Sequence, residues 1–337
     1  MHNLLDPAIL FFILGVFAGT VKSNLEIPPA ISRFLALYLL MALGLKGGFA
    51  LSHSGFTAQV ATSLGAAVAL AVAVPLLGYW LLRRVLSGFD AAAVAATYGS
   101  VSAVTFVTAV QTLENQGQAF GGYMSAAMAL MESPAILLAI MMANALRQRQ
   151  AAAVGQTAGG AAVLSWGNAP RGGGVAFGQV LRESFTEGAQ LLLLGAMLVG
   201  MLSGDAGKAA MQPFSGDLFK GMLAFFLLDM GLMTARSLPQ LKGASPFLLA
   251  YAVLGPLAHA GLALGLSVLL GIPQGDAILL MVLAASASYI AVPAVMRHAV
   301  PEAQPSLYCG LPLGITFPLN VLFGIPLYIA VARSVLG

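Results

Sequence analysis

Residues Asp90 to Phe106 read DAAAVAATYGSVSAVTF, and residues Asp276 to Val292 read DAILLMVLAASASYIAV. At one constant offset Asp90 aligns with Asp276, Ser100 with Ser286 and Ser102 with Ser288. Both runs are apolar enough to sit inside a membrane, yet each carries a Ser-x-Ser step flanked by small residues near its middle. Small residues there let the backbone unwind. Unwound backbone at membrane depth is tolerated only where it lines a cavity or is buried in protein. One such interruption in each half of a chain is the mark of a transporter built from repeats. Weaker echoes join Ala42-Leu43-Gly44 to Asp229-Met230-Gly231, and Arg33 to Lys220.

The rest of the chain agrees with a membrane setting. Of 337 residues, 59% are hydrophobic and 8% charged, where a soluble domain needs roughly 25% charged residues to wet its surface. The mean hydropathy is +0.91. Ten apolar runs approach the roughly 20 residues a spanning helix requires: 5–21, 30–50, 57–82, 90–111, 121–145, 184–203, 216–236, 245–271, 275–298 and 307–333. The first is short, but positive charge (Lys22) follows it rather than precedes it, so it reads as a retained helix and not a signal peptide. One long polar connection, rich in Gly, Ala and Gln, divides the chain in the middle and reads as a flexible linker. The expected organisation is a first repeat over 1–146, a cytoplasmic linker over 147–182 and a second repeat over 183–337. Five helices per half insert the two repeats with opposite orientations.

Lysine and arginine fix the sidedness. One set of loops holds Lys22, Arg33, Arg83, Arg84, Arg147, Arg149, Arg171, Arg182, Arg236, Lys242 and Arg297. The other holds Lys46, Lys208, Lys220 and Arg333. The first set is expected in the cytoplasm of a bacterial plasma-membrane protein, with both termini outside. The scattering of these charges is no nucleic-acid footprint.

Several groups are placed to carry chemistry. Tyr98-Gly99-Ser100-Val101-Ser102 and Ala285-Ser286-Ala287-Ser288-Tyr289 would free N–H groups and helix N-termini for an anion, and carbonyls for a cation. The competing account is that Gly, Ala and Ser only let helices pack closely. Two clusters in symmetric places favour a site. Glu132, in Met131-Glu132-Ser133-Pro134, is a carboxylate inside an apolar run, which costs about 2.5–3.5 kcal/mol on insertion scales. Beside the carbonyl freed by Pro134, it suits Na⁺ or a proton; otherwise it bonds a neighbouring helix. Thr316 and Asn320 flank Pro318 one turn apart and offer neutral oxygens to a cation; otherwise they make helix–helix hydrogen bonds. Asp229 is a further intramembrane acid with no chemistry assigned, and Lys46 snorkels to an interface. Four histidines without ligand spacing and a single cysteine, Cys309, argue against zinc. No HExxH, P-loop or Gly-x-Ser-x-Gly motif is present, and His259, the mid-span histidine, lacks a serine partner. An enzyme is not expected.

At these motifs the sequence resembles the sodium-dependent bicarbonate transporter family, known from cyanobacterial carbon uptake. The matching stretches are ALGLKGGFAL (42–51), TYGSVSAVTFVTAVQTLE (97–114), MESPAILLAIMMAN (131–144), AASASYIAVPAVMR (284–297), PSLYCGLPLGITFP (305–318) and GIPLYI (324–329). The resemblance implies an all-α integral membrane fold of ten helices in 5+5 inverted repeats, like bile-acid and sodium–proton transporters. Helices 3–5 and 8–10 would form a core domain with crossed, broken helices 4 and 9, and helices 1, 2, 6 and 7 a gate domain. It also implies a homotrimer, and in cyanobacterial members regulation by a PII-like protein. The central linker here is short and poor in acids for such a partner. Two positions depart from the cyanobacterial pattern: Tyr289 stands where an acid follows the serine run, and Glu132 replaces Asp.

The expected activity is Na⁺-coupled import of a small anion, bicarbonate first. Gly99, Ser100, Ser102, Ser286, Ala287 and Ser288 are expected at the anion, and Thr105, Glu132, Ser288, Thr316 and Asn320 at Na⁺. Na⁺ is the expected coupling ion, with no organic cofactor. Rival readings are a Na⁺-coupled carrier of another small carboxylate, a Na⁺/H⁺ exchanger, and, from a different class, a membrane receptor or scaffold that binds an anion without moving it.

Overall fold

The computed structural model describes residues 5–55, 57–157 and 188–337. Among these it is all helical. The helices are α1 (Pro7–Thr20), α2 (Pro29–Ser54), α3 (Ala58–Leu82), α4 (Gly88–Gly99), α5 (Ala103–Asn115), α6 (Met124–Thr157), α7 (Gly188–Gln212), α8 (Phe219–Ser237), α9 (Pro246–Leu270), α10 (Gln274–Ala285) and α11 (Ala291–Ala299). A final helical run, α12 (Pro305–Leu336), contains two π-helical turns, Pro312–Thr316 and Asn320–Gly324.

Seven runs among the described residues are long and apolar enough to cross a membrane. One of them, Gly188–Ser237, is two helices, α7 and α8, joined through a π turn at Pro213–Asp217. Pro7–Thr20 and Gln274–Ala285 are shorter apolar helices. The fourth predicted span, 90–111, is broken between α4 and α5. The ninth, 275–298, is broken between α10 and α11. The stretch 147–157, expected to start the linker, continues α6 to Thr157; the remainder of the linker lies outside the described residues.

Packing divides the helices into two groups. α1 lies along α8, and α2 along α7. In the other group α3, α4 and α6 pack on one another, and α9 packs on α10, which also meets α12. The first two pairs have the same chemistry. A methyl at Gly48 would stand 2.1 Å from the Met197 carbonyl oxygen, and one at Gly231 would stand 2.3 Å from that of Phe12. Glycine is required at both because the helix backbones touch, the close approach that small residues permit in membrane helices. Exchanging the two halves of the chain turns α1·α8 into α7·α2.

A second exchange relation fixes the broken helices. Buried Asp90, in the first turn of α4, accepts from the Gln304 N–H at 2.7 Å, just before α12. Buried Asp276, in the first turn of α10, accepts from the Gly121 N–H at 2.6 Å, just before α6, and from the Tyr123 hydroxyl. Each aspartate therefore holds the entry of the last helix of the opposite half.

Candidate functional site

α4 ends at Ser100, whose backbone is extended (φ −94°, ψ 179°), and α10 ends at Ser286 in the same way (φ −79°, ψ 166°). The extended segments Ser100–Ser102 and Ser286–Ser288 then meet. The Ser102 N–H donates to Ser286 Oγ at 2.9 Å, and the Ser288 N–H donates to the Thr97 carbonyl at 2.8 Å. Of the two serines after the breaks, Ser102 is the N-cap of α5, and Ser288, two residues before the N-cap Ile290, bonds into the first turn of α11. Ser102 Oγ accepts from the Thr105 N–H at 3.2 Å and from Thr105 Oγ1 at 3.0 Å. Ser288 Oγ accepts from the Val292 N–H at 3.2 Å. Two carbonyl ends, of α4 and α10, and two N–H ends, of α5 and α11, thus converge on one crossing. It offers partial charge of both signs without an ionised group. The exchange is imperfect in one respect: Ser286 Oγ serves the crossing, whereas Ser100 Oγ turns to the Glu132 carbonyl at 3.4 Å.

A cavity of about 470 Å³ opens onto this crossing. Ser102 and Ser288 line it, with Glu132 from α6, Gln190 from α7 and Arg33 from α2. Gln190 Nε2 donates to Glu132 Oε2 at 2.8 Å. A carboxylate, two serine hydroxyls and the first turns of two helices therefore face one space. Such a combination offers donors to an anion and oxygens to a hard cation.

The chain matches the model of the Na⁺-dependent bicarbonate transporter superfamily over residues 7–333. It belongs to that superfamily. No curated protein matches the chain. As a member, it is a multi-pass membrane transporter and not an enzyme, and the family's dependence on Na⁺ makes sodium its coupling ion.

Set against this family, the predicted site residues separate. Of the anion set, Ser102 and Ser288 line the cavity; Ser100, Ser286 and Ala287 are buried in the crossing behind them. Gly99 packs against α3, where a methyl would stand 2.6 Å from the Pro75 ring. Of the cation set, Glu132 and Ser288 line the cavity, and Thr105 sits one hydroxyl behind Ser102. Thr316 and Asn320 are bonded elsewhere. Thr316 Oγ1 meets the Tyr98 hydroxyl at 2.7 Å and donates to the Ala252 carbonyl at 2.8 Å. Asn320 donates to the Ala285 carbonyl at 2.8 Å and accepts from the Tyr328 hydroxyl at 2.8 Å. Both tie α12 to its neighbours. Tyr289 lines the cavity, its ring centroid 5.2 Å from that of Phe317 and its hydroxyl 3.7 Å from Met230 Sδ. The carboxylate at this cavity is that of Glu132. Asp229, left without chemistry above, accepts from the Ser32 hydroxyl and joins α8 to α2.

Sequence reasoning passed over Gln190. Its signal was a lone amide opening an otherwise apolar run, GAQLLLLGAML, at the same end of the membrane as the linker.

A second cavity, of about 790 Å³, is lined by Lys46, His53, Glu114, Lys208, Asp217 and Lys220 among others. Helix α2 passes both: Arg33 to Leu40 line the first cavity and Leu43 to His53 the second. At about 1.5 Å per residue, the two open toward opposite ends of the helix.

Proposed function

We propose that this transporter imports bicarbonate with Na⁺ by alternating access, as a ten-helix chain of two inverted five-helix repeats. The observation that carries the reading is the crossing, where the N-termini of α5 and α11 and the Glu132 carboxylate share one cavity. An anion at the N-termini of α5 and α11 and a cation between Glu132 and the carbonyl ends compensate each other, so each strengthens binding of its partner. The repeat reading is supported by the exchanged contacts of Asp90 and Asp276 and by the matching α1·α8 and α2·α7 pairs. α3–α6 with α9–α12 then act as the core and α1, α2, α7 and α8 as the gate. Arg33 marks the cytoplasmic side by charge bias, so the cavity at the crossing faces inward.

The test is uptake of labelled bicarbonate into proteoliposomes with and without an inward Na⁺ gradient. Accumulation driven by the gradient is expected. Uptake indifferent to Na⁺ sinks the symport reading; proton movement exchanged for Na⁺ without anion uptake would identify an exchanger; binding without counterflow would identify a receptor.

A further inference from the structure

The Glu132–Gln190 hydrogen bond joins the two helix groups. Glu132 stands on α6, which packs with α3 and α4; Gln190 stands in the first turn of α7, which packs along α2. Gln190 is 5% exposed, so its amide is nearly withdrawn from water. A donor so enclosed, aimed at a carboxylate oxygen at 2.8 Å, makes a bond stronger than a neutral pair. It also occupies an oxygen that a cation would ligate. Among the described residues, the other charged side chain lining this cavity is Arg33, and Tyr289 is its titratable neighbour.

We propose that Gln190 is the residue through which the gate reads cation occupancy of Glu132. Without cation, its amide holds the carboxylate and ties α7 to the core beside this cavity, by one hydrogen bond that slows the core's movement and that the empty carrier breaks on its return. A Na⁺ ion on Glu132 displaces the amide, and the core is released to move. Gln190 is a positioning residue here: it acts on the cation through Glu132 and competes with it. The inference rests on the reading of Glu132 as a cation ligand.

The competition has a sign. Removing the amide while keeping its volume should strengthen Na⁺ binding, by about tenfold for a hydrogen bond to a charged group. It should also let the core move more readily with the anion alone. Gln190→Met in the full-length chain is expected to bind radioactive Na⁺ about tenfold more tightly in detergent, and in proteoliposomes to exchange bicarbonate without Na⁺. Gln190→Glu supplies a second variant. Two adjacent carboxyls share a proton, so its Na⁺ affinity should rise with pH more steeply than that of wild type. Glu132→Gln is measured beside them. If Glu132→Gln weakens Na⁺ binding but Gln190→Met leaves it unchanged or weaker, the proposal falls and Glu132 stays a ligand. If neither variant moves Na⁺ affinity, the cation is not at Glu132, and both readings fall. Should Gln190→Met not fold, a pH-independent Na⁺ affinity in Gln190→Glu overturns the proposal alone.

Discussion

Ser102 acts with its backbone and its side chain at once: the N–H holds Ser286, and the hydroxyl caps α5. Ser288 accepts from the Val292 N–H in the first turn of α11 and lines the same cavity. Ser288→Ala should cost about 1 kcal/mol through that lost hydrogen bond, seen as a small fall in unfolding temperature in detergent. Ser288→Leu should abolish bicarbonate uptake in a folded protein, because the added side chain fills the space beside the crossing; wild-type uptake kinetics in that variant would return the serines to a packing role. Glu132→Gln keeps shape and hydrogen bonding but removes the charge. It should raise the Na⁺ needed for half-maximal uptake and, by linkage, weaken the anion at fixed Na⁺. The serine pairs were legible because their spacing repeats in the two halves. Thr316 and Asn320 share the polar composition of a cation site, but composition does not say which way a hydroxyl or amide turns. Here both turn to backbone carbonyls, of Ala252 and Ala285.

At the scale of elements, the breaks in the fourth and ninth spans work because both ends of each half-helix are held. Asp90 and Asp276 hold the outer ends by reaching into the opposite half. Asp276→Asn loses charge assistance in two bonds, to the Gly121 N–H and the Tyr123 hydroxyl. It should destabilise the protein by about 1–3 kcal/mol, more than Asp90→Asn, whose side-chain partner Ser87 is local. Thermal unfolding in detergent orders the two, and an unchanged midpoint in both removes the cross-half role. The sequence pairs these aspartates correctly but is silent on their partners, since Gly121 and Gln304 sit in connections with no periodic signal. Hydropathy likewise reads 90–111 and 275–298 as continuous. A break of three to five residues with small apolar neighbours does not lower a window average, and only the Ser-x-Ser steps betray it. The glycine contacts at Gly48 and Gly231 are a different case: they need a partner helix, and sequence alone names no partner.

For the whole molecule, the two cavities on α2 are held unequally. The cavity toward Arg33 reaches the crossing. The other is lined by a polar latch at the end of α5. Lys46 of α2 pairs with both oxygens of Glu114 at 3.0 Å and lies 4.2 Å over the Phe219 ring. Asn115 donates to Asp6, before α1, at 3.1 Å and accepts from Lys220 of α8 at 2.9 Å. Three elements of the proposed gate thus grip one turn of the proposed core on the side opposite the cavity at the crossing. With Cys309 replaced by Ser, a cysteine at Gln150 should be labelled from the cytoplasmic face and one at Ala119 from outside; the reverse would invert the direction of transport. The latch then makes a sharper demand. The Lys46–Glu114 pair is partly exposed, with side chains 25% and 33% accessible, so its net worth is about 0.5–1 kcal/mol. Opposing charges there hold the outer side shut; like charges push it open. Lys46→Glu should shift the population toward the outward-open form by about two- to fivefold, and Glu114→Lys should do the same. The reporter is a cysteine at Val110, which lines the outer cavity and is 2% exposed with the latch closed. Its labelling from outside should quicken by that factor in either single variant. The double variant, with the charges exchanged, should return the rate toward the parent's, because the attraction is restored with its sign order reversed. Parental labelling in both single variants would mean that the pair does not hold the outer side closed, leaving Asn115 and its two partners as the contact that does.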